Sequence, residues 1–139
     1  MKPLTKVCID TNVWLSGLVF SGNPALIVDL AMKKRFELIL SSVILKEIEN
    51  NLVHKFKVPE NKALALISSI AKVADLYEPQ GTIHIIKEMH ADNLVLETAF
   101  VGRAEYLVTG DKKHLLPLGT FKGIKIVTPS AFLSLSKLT

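Results

Sequence analysis

A single cysteine, Cys8, stands in the 139-residue chain. One thiol cannot close an internal disulfide, so no disulfide framework organises the fold. Its place in an apolar strand-like run marks it as a buried thiol, and a reducing cytoplasm is the expected home. Long apolar runs are missing too: the hydrophobic stretches are short and broken by charge, far below the roughly 18 to 20 residues that cross a bilayer. The N-terminal "MKPLTKVCIDTNVWLSGLVF" has the early lysines of a secretion signal, but Asp10 and Asn12 interrupt what would be its apolar segment. It reads as the first strand of a mature chain. No internal repeat, low-complexity tract or shift in composition marks a boundary, so one domain spanning 1–139 is expected. Cysteine and histidine do not cluster at zinc-like spacing; His54, His84, His90 and His114 are scattered and not expected to be ligands.

What is present is a globular composition, with 49% hydrophobic and 22% charged residues. A mean hydropathy of +0.35 is high for a soluble monomer and leaves apolar surface for a partner. Short apolar runs alternate with longer periodic ones. "KVCID" (6–10), "FELIL" (36–40), "EYLVT" (105–109) and a segment after Lys122 read as strands. Residues 23–35, 41–56 with a serine cap, 60–74, 92–104 and a closing stretch after Pro129 read as helices. Residues 76–88 read as an extended segment turning at Pro79 to Gly81. Strands of about five residues alternating with helices imply right-handed crossovers. The expected class is α/β: a three-layer α/β/α fold with a mostly parallel sheet of about five strands.

In such sheets ligands bind outside the carboxyl ends of the strands. Asp10 ends the first strand, and Asp111 follows "EYLVT" by one glycine, Gly110. Asp92 opens the helix leading into that strand, and Glu47 lies in the second turn of the helix after "FELIL". Each aspartate has an ordinary explanation as a helix cap. At about 100° per residue, Glu47 falls about 60° outside the stripe of Ile44, Leu45, Ile48, Leu52 and Phe56. Glu49 flanks the opposite edge, so periodicity leaves both glutamates open. Jointly the capping account weakens, because several strands would have to end in acids at one rim by chance.

"CIDTNVWLSG", "SSVILKEIENNL", "DNLVLETAFVGRAEYLVTGDKKHL" and "GIKIVTPSAFL", in that order over nearly the whole chain, resemble the PIN-domain family of metal-dependent ribonucleases. The resemblance is to prokaryotic members of the VapC type, the toxins of toxin–antitoxin pairs. It implies an acidic quartet of Asp10, Glu47, Asp92 and Asp111, and so favours Glu47 over Glu49. It also implies helpers at Asn12 and Thr109 that orient the ligands from behind. Many members carry a further acid just before the "DN" pair, where this chain has Met89 and Ala91, and His90 is a poor substitute for hard cations.

Carboxylates gathered at one rim repel unless a cation neutralises them, and all-oxygen ligation points to Mg²⁺ or Mn²⁺. The expected activity is hydrolysis of RNA phosphodiester bonds. In it Asp10 is the central ligand, Asp92 and Asp111 are further ligands, and Glu47 holds a water. Lys112, Lys113 and Arg103 lie near the rim in sequence and are expected to meet backbone phosphates. The net charge is +4, and with the four acids set aside in a pocket 17 basic side chains face nine acidic ones, a balance suited to a polyanion. Apolar positions within 25–32 and 63–76 would serve a homodimer or an antitoxin segment. Receiver and haloacid-type phosphatase domains need a second acid after the first strand, whereas "DTN" has one. The alternative reading is a catalytically weak PIN-like module that binds RNA or protein without cutting.

Overall fold

A computed structural model describes residues 4–81, 83 and 90–135, with the side chains of 90 and 91 excepted. Met89, His84, the side chains of His90 and Ala91, most of the stretch expected to be extended beyond Gly81 and the end of the closing helix therefore lie outside the described residues. The described chain runs β1 (Lys6–Ile9), α1 (Thr11–Val19), α2 (Asn23–Met32), β2 (Glu37–Leu40), α3 (Ser42–His54), α4 (Glu60–Val73), β3 (Ala74–Leu76) and α5 (His90–Val101). It continues through β4 (Tyr106–Val108), a 3₁₀ turn (Leu116–Leu118), β5 (Thr120–Phe121), β6 (Ile124–Val127) and α6 (Pro129–Leu133).

The strands form one six-stranded sheet in the order β3-β2-β1-β4-β6-β5. Five strands are parallel, and β5 joins antiparallel to β6. Helices flank the sheet, giving the three-layer α/β/α architecture expected. Burial on both faces explains the near-continuous apolar runs: Val7, Cys8, Ile9, Leu38, Ile39, Leu40, Leu107 and Val108 are all buried. Cys8 is fully enclosed, and burial pushes its thiol far above the ordinary range, so it is an inert core residue.

Three elements depart from the sequence expectation. Helix α1 occupies residues left unassigned after the first strand. "TNVWLSGLV" is rich in β-branched, aromatic and glycine residues that favour helix poorly, but it buries Val13, Trp14 and Leu15, and packing outweighs propensity. Strand β3 lies within what read as the end of a helix and the start of an extended segment. Strand β5 forms a two-residue hairpin with β6 through Lys122 and Gly123, both at positive φ (49° and 87°), as such tight hairpins require.

Close packing fixes the helices on the sheet. A Cβ at Gly102 would fall 2.2 Å from Ile39 Cγ2, so only glycine lets the end of α5 lie this close to β2. At Gly17 it would fall 2.5 Å from Val28 Cγ2 and 2.6 Å from the Pro24 carbonyl oxygen, which seats α1 directly on the start of α2. Sequence-adjacent strands run outward from β1 on one side (β2, β3) and from β4 on the other (β6, β5). The order therefore reverses between β1 and β4, and the crevice beyond their carboxyl ends is where an open α/β sheet binds ligands.

Candidate functional site

Two strand ends deliver acids into this crevice. Asp10 follows β1, its N–H donating to the Val108 carbonyl (2.9 Å) and its own carbonyl accepting from Val13 and Trp14 as α1 begins. Its backbone is thus at the N-cap, yet its side chain makes no capping hydrogen bond. The carboxylate instead accepts from the Thr109 hydroxyl at 2.8 Å. Thr109, held behind β4 by its N–H to Val127 O (2.9 Å), also accepts the Asp111 N–H on its hydroxyl at 3.0 Å. One buried threonine therefore ties the two strand ends together.

Asp10 is 5% exposed, and its pKa is raised from 3.8 to about 6. Burial is the largest cause; Asp92 and, more weakly, Glu47 add repulsion, while the Thr109 hydroxyl and the Thr11 backbone pull the other way. Asp92, in the first turn of α5, is also raised, chiefly by burial and then by Asp111, with His114 opposing. Asp111 does cap its turn: its carboxylate accepts from the N–H groups of Lys113 (3.0 Å), His114 (3.2 Å) and Leu115 (3.3 Å). That turn swings His114 back, placing Nδ1 3.6 Å from Asp111 Oδ2 and 3.8 Å from Asp92 Oδ2.

Ligand atoms of Asp92, Asp111 and His114 all lie within 4.8 Å of one another. Asp10 and Glu47 stand outside that tight group, Asp10 linked to it through Thr109 and through the field of Asp92. Glu47 is half-buried on α3 and acts on Asp10 electrostatically, whereas Glu49 lines a separate cavity of about 480 Å³ between α3 and α4 with His54 and Glu60. Asn12 is exposed and makes no hydrogen bond to these acids; it lines a cavity beside Asp111. Lys112 and Lys113 are exposed on the turn that Asp111 caps.

Arg103 is misplaced by proximity in sequence. It follows α5 and precedes β4, two residues before Glu105, whose carboxylate accepts the Lys6 N–H (2.9 Å) where β1 begins. It therefore sits at the amino edge of the sheet, about 15 Å of helix away from Asp92, and cannot share a phosphate with the rim.

Sequence reasoning missed two residues. His114 lies three positions after Asp111, and a capped helical turn brings such positions together, so "DKKH" carried the signal. Glu97, 2% exposed on α5, accepts the backbone N–H groups of Gln80, Gly81 (3.0 Å) and Ile83 (3.0 Å). A charged residue inside the apolar run "LVLETAF" marks a buried, partnered acid.

Residues 6–113 match the PIN domain. The chain belongs to the PIN-domain family. Among solved structures it resembles that of VapBC2 from Rickettsia felis bound to a DNA fragment from their promoter, at 14% identity and a TM-score of 0.62 over 89% of this chain and 98% of that one. It also resembles PAE2754 from Pyrobaculum aerophilum, at 17% identity and a TM-score of 0.64 over 94% and 88% of the two chains. No curated protein matches it. Such identities establish a shared fold.

PIN nucleases typically use divalent metal ions, and the donor set suits one. Among the described residues no lysine or arginine pairs with Asp10, Asp92 or Asp111, and the basic group beside Asp92 and Asp111 is the His114 imidazole. Carboxylate oxygens are donors for hard divalent ions, and Asp92 and Asp111, with the His114 imidazole beside them, could hold one. Among the described residues no helix is long and apolar enough to span a membrane.

Proposed function

We propose that this PIN domain is a divalent-metal-dependent ribonuclease, with Asp10, Glu47, Asp92 and Asp111 as its acidic machinery, and that it is the toxin of a cytoplasmic toxin–antitoxin pair. The observation carrying the activity is the Asp10 carboxylate. It is buried at the switch point, released from the capping role its backbone position offers, and held within the electrostatic reach of Asp92 and Glu47.

A divalent ion bound by these acids would supply Lewis acidity for activating a water and stabilising a departing oxygen. Asp92, Asp111 and His114 offer the converging donors, and Asp10 adds to the negative field. Thr109 holds Asp10 and the Asp111 backbone in register through its hydroxyl. Lys112 and Lys113, one and two residues beyond Asp111, offer charge to the sugar-phosphate strand and no base selectivity.

The likeness to VapBC2 and the exposed Leu26 on α2 and Leu64 on α4, both more than half exposed, support association with protein. A cognate antitoxin and a second copy of this chain are the partners this reading names; light scattering of the purified chain showing only monomer would remove the second.

The activity is tested by incubating single-stranded RNA with the protein and Mn²⁺ or Mg²⁺, with and without chelator. Cleavage that needs the ion and is lost in Asp10→Asn is expected. Binding of RNA without any cleavage would instead favour a non-cutting RNA-binding module.

A further inference from the structure

Beside the acids lies a second, differently built cavity. It encloses about 310 Å³ and meets the candidate centre only at Asp111 and Gly110. Its other walls are Asn12, Val13 and Ser16 from α1, Pro24 at the start of α2 and Pro129 at the start of α6. Asn12 and Ser16 are one helical turn apart and so share a face. Among the described residues neither the Asn12 carboxamide nor the Ser16 hydroxyl makes a hydrogen bond, so both are free for a ligand.

The walls are set by packed helix starts. Pro24 and Pro129 fix the first turns of their helices, and the Gly17 contact on the Pro24 carbonyl locks α1 to α2. The lining also selects by charge. Among the described residues that line it, Asp111 is the only ionisable group and none is a cation, which disfavours a phosphate there. The volume is large enough for a flat, neutral ring, and the lining offers proline and Val13 to apolar faces and an amide and a hydroxyl to polar edges.

We infer that this cavity receives the nucleobase next to the scissile phosphate, with Asn12 and Ser16 reading its hydrogen-bonding edge. The inference rests on the ribonuclease reading for its substrate class. Single-stranded RNA is recognised in this manner, by bases splayed from the strand and met on face and edge. It also gives Asn12 a role its position supports: contact with substrate rather than with the acids. A site for one base beside a base-blind phosphate track would make cleavage depend on sequence.

The test uses probes with no scissile bond: AMP, GMP, CMP and UMP against ribose 5-phosphate, titrated in Mg²⁺ into the full chain and followed by amide chemical shifts. At least one nucleotide should bind about tenfold more tightly than ribose 5-phosphate, the size of one stacked base, with shifts at Asn12, Ser16 and Gly110. Ser16→Phe, which fills the cavity, should erase the difference. Asn12→Ala, an exposed position that does not threaten the fold, should reduce it and change which nucleotide is preferred. Equal affinity for all five probes, or a preference unchanged in both variants, overturns the inference. Base preference without RNA cleavage would leave the pocket standing and remove the nuclease; cleavage without base preference would do the reverse.

Discussion

Asp10 and Glu97 are both buried acids near the same rim of the sheet, and they are treated in opposite ways. Glu97 collects three backbone N–H groups from the segment after β3, and nearby Glu78 takes the Ser42 N–H (2.9 Å) and hydroxyl (2.5 Å) at the start of α3. These carboxylates lace a strand exit to two helices, and the donors compensate their burial. Asp10 receives one threonine hydroxyl and little else, and faces Asp92 and Glu47. Its donors make Glu97 a scaffold acid, whereas Asp10, with few donors and within the field of other acids, suits the cation that the proposed activity needs. The distinction rests on hydrogen-bond supply, not on burial, since Glu97 is the more buried of the two.

The sharpest break between the two classes is in activity. Asp10→Asn should lower metal-dependent RNA cleavage by about a thousandfold or more, as removal of a member of a catalytic group does, measured as initial rates at saturating Mn²⁺.

Stability should then move in opposite directions. Glu97→Gln removes charge-assisted bonds to backbone donors and should cost about 2–4 kcal/mol in urea unfolding. Asp10→Asn should stabilise the metal-free protein at pH 7 by up to about 3 kcal/mol, the equivalent of a rise from 3.8 to about 6. The sign follows from the proton balance. Below pH 3.8 Asp10 is protonated in both states and costs nothing; as pH rises the unfolded chain ionises first, and above about 6 the full penalty is present. Metal-free wild type should therefore lose stability from pH 4 to 7 relative to Asp10→Asn; parallel pH profiles for the two proteins would place Asp10 with the scaffold acids.

A smaller effect tests the packing behind the rim. Gly17→Ala drives a methyl into Val28 and the Pro24 carbonyl and should destabilise by about 1–3 kcal/mol through overpacking. The smallest contrast separates the two edges of the sheet. Lys112→Ala and Lys113→Ala should each reduce the salt dependence of RNA binding by about one charge, whereas Arg103→Ala, at the far edge, should leave it unchanged.

The fold class was legible because strands covered on both faces are written as plain apolar runs, and because Asp10 and Asp111 sit just past two of them. Strands β3 and β5 were not legible, since three- and two-residue strands take their identity from a neighbour's free edge rather than from their own pattern. Helix α1 was hidden for the converse reason: its stability comes from burying Trp14 and Val13, which no local propensity reveals. In the site, the aspartates could be placed by counting strands. His114 was legible only through its helical spacing in "DKKH", because its approach depends on a turn that Asp111 builds with its own carboxylate. Arg103 was misjudged because nine residues of chain can double back to the opposite end of a sheet.

Calorimetric titration of Mn²⁺ into the metal-free wild type and Asp92→Asn at pH 7 tests most directly whether the clustered acids form a metal site. Saturable binding by the wild type, weakened at least about tenfold by the substitution, is expected. No binding heat, or equal affinity in both proteins, would contradict it.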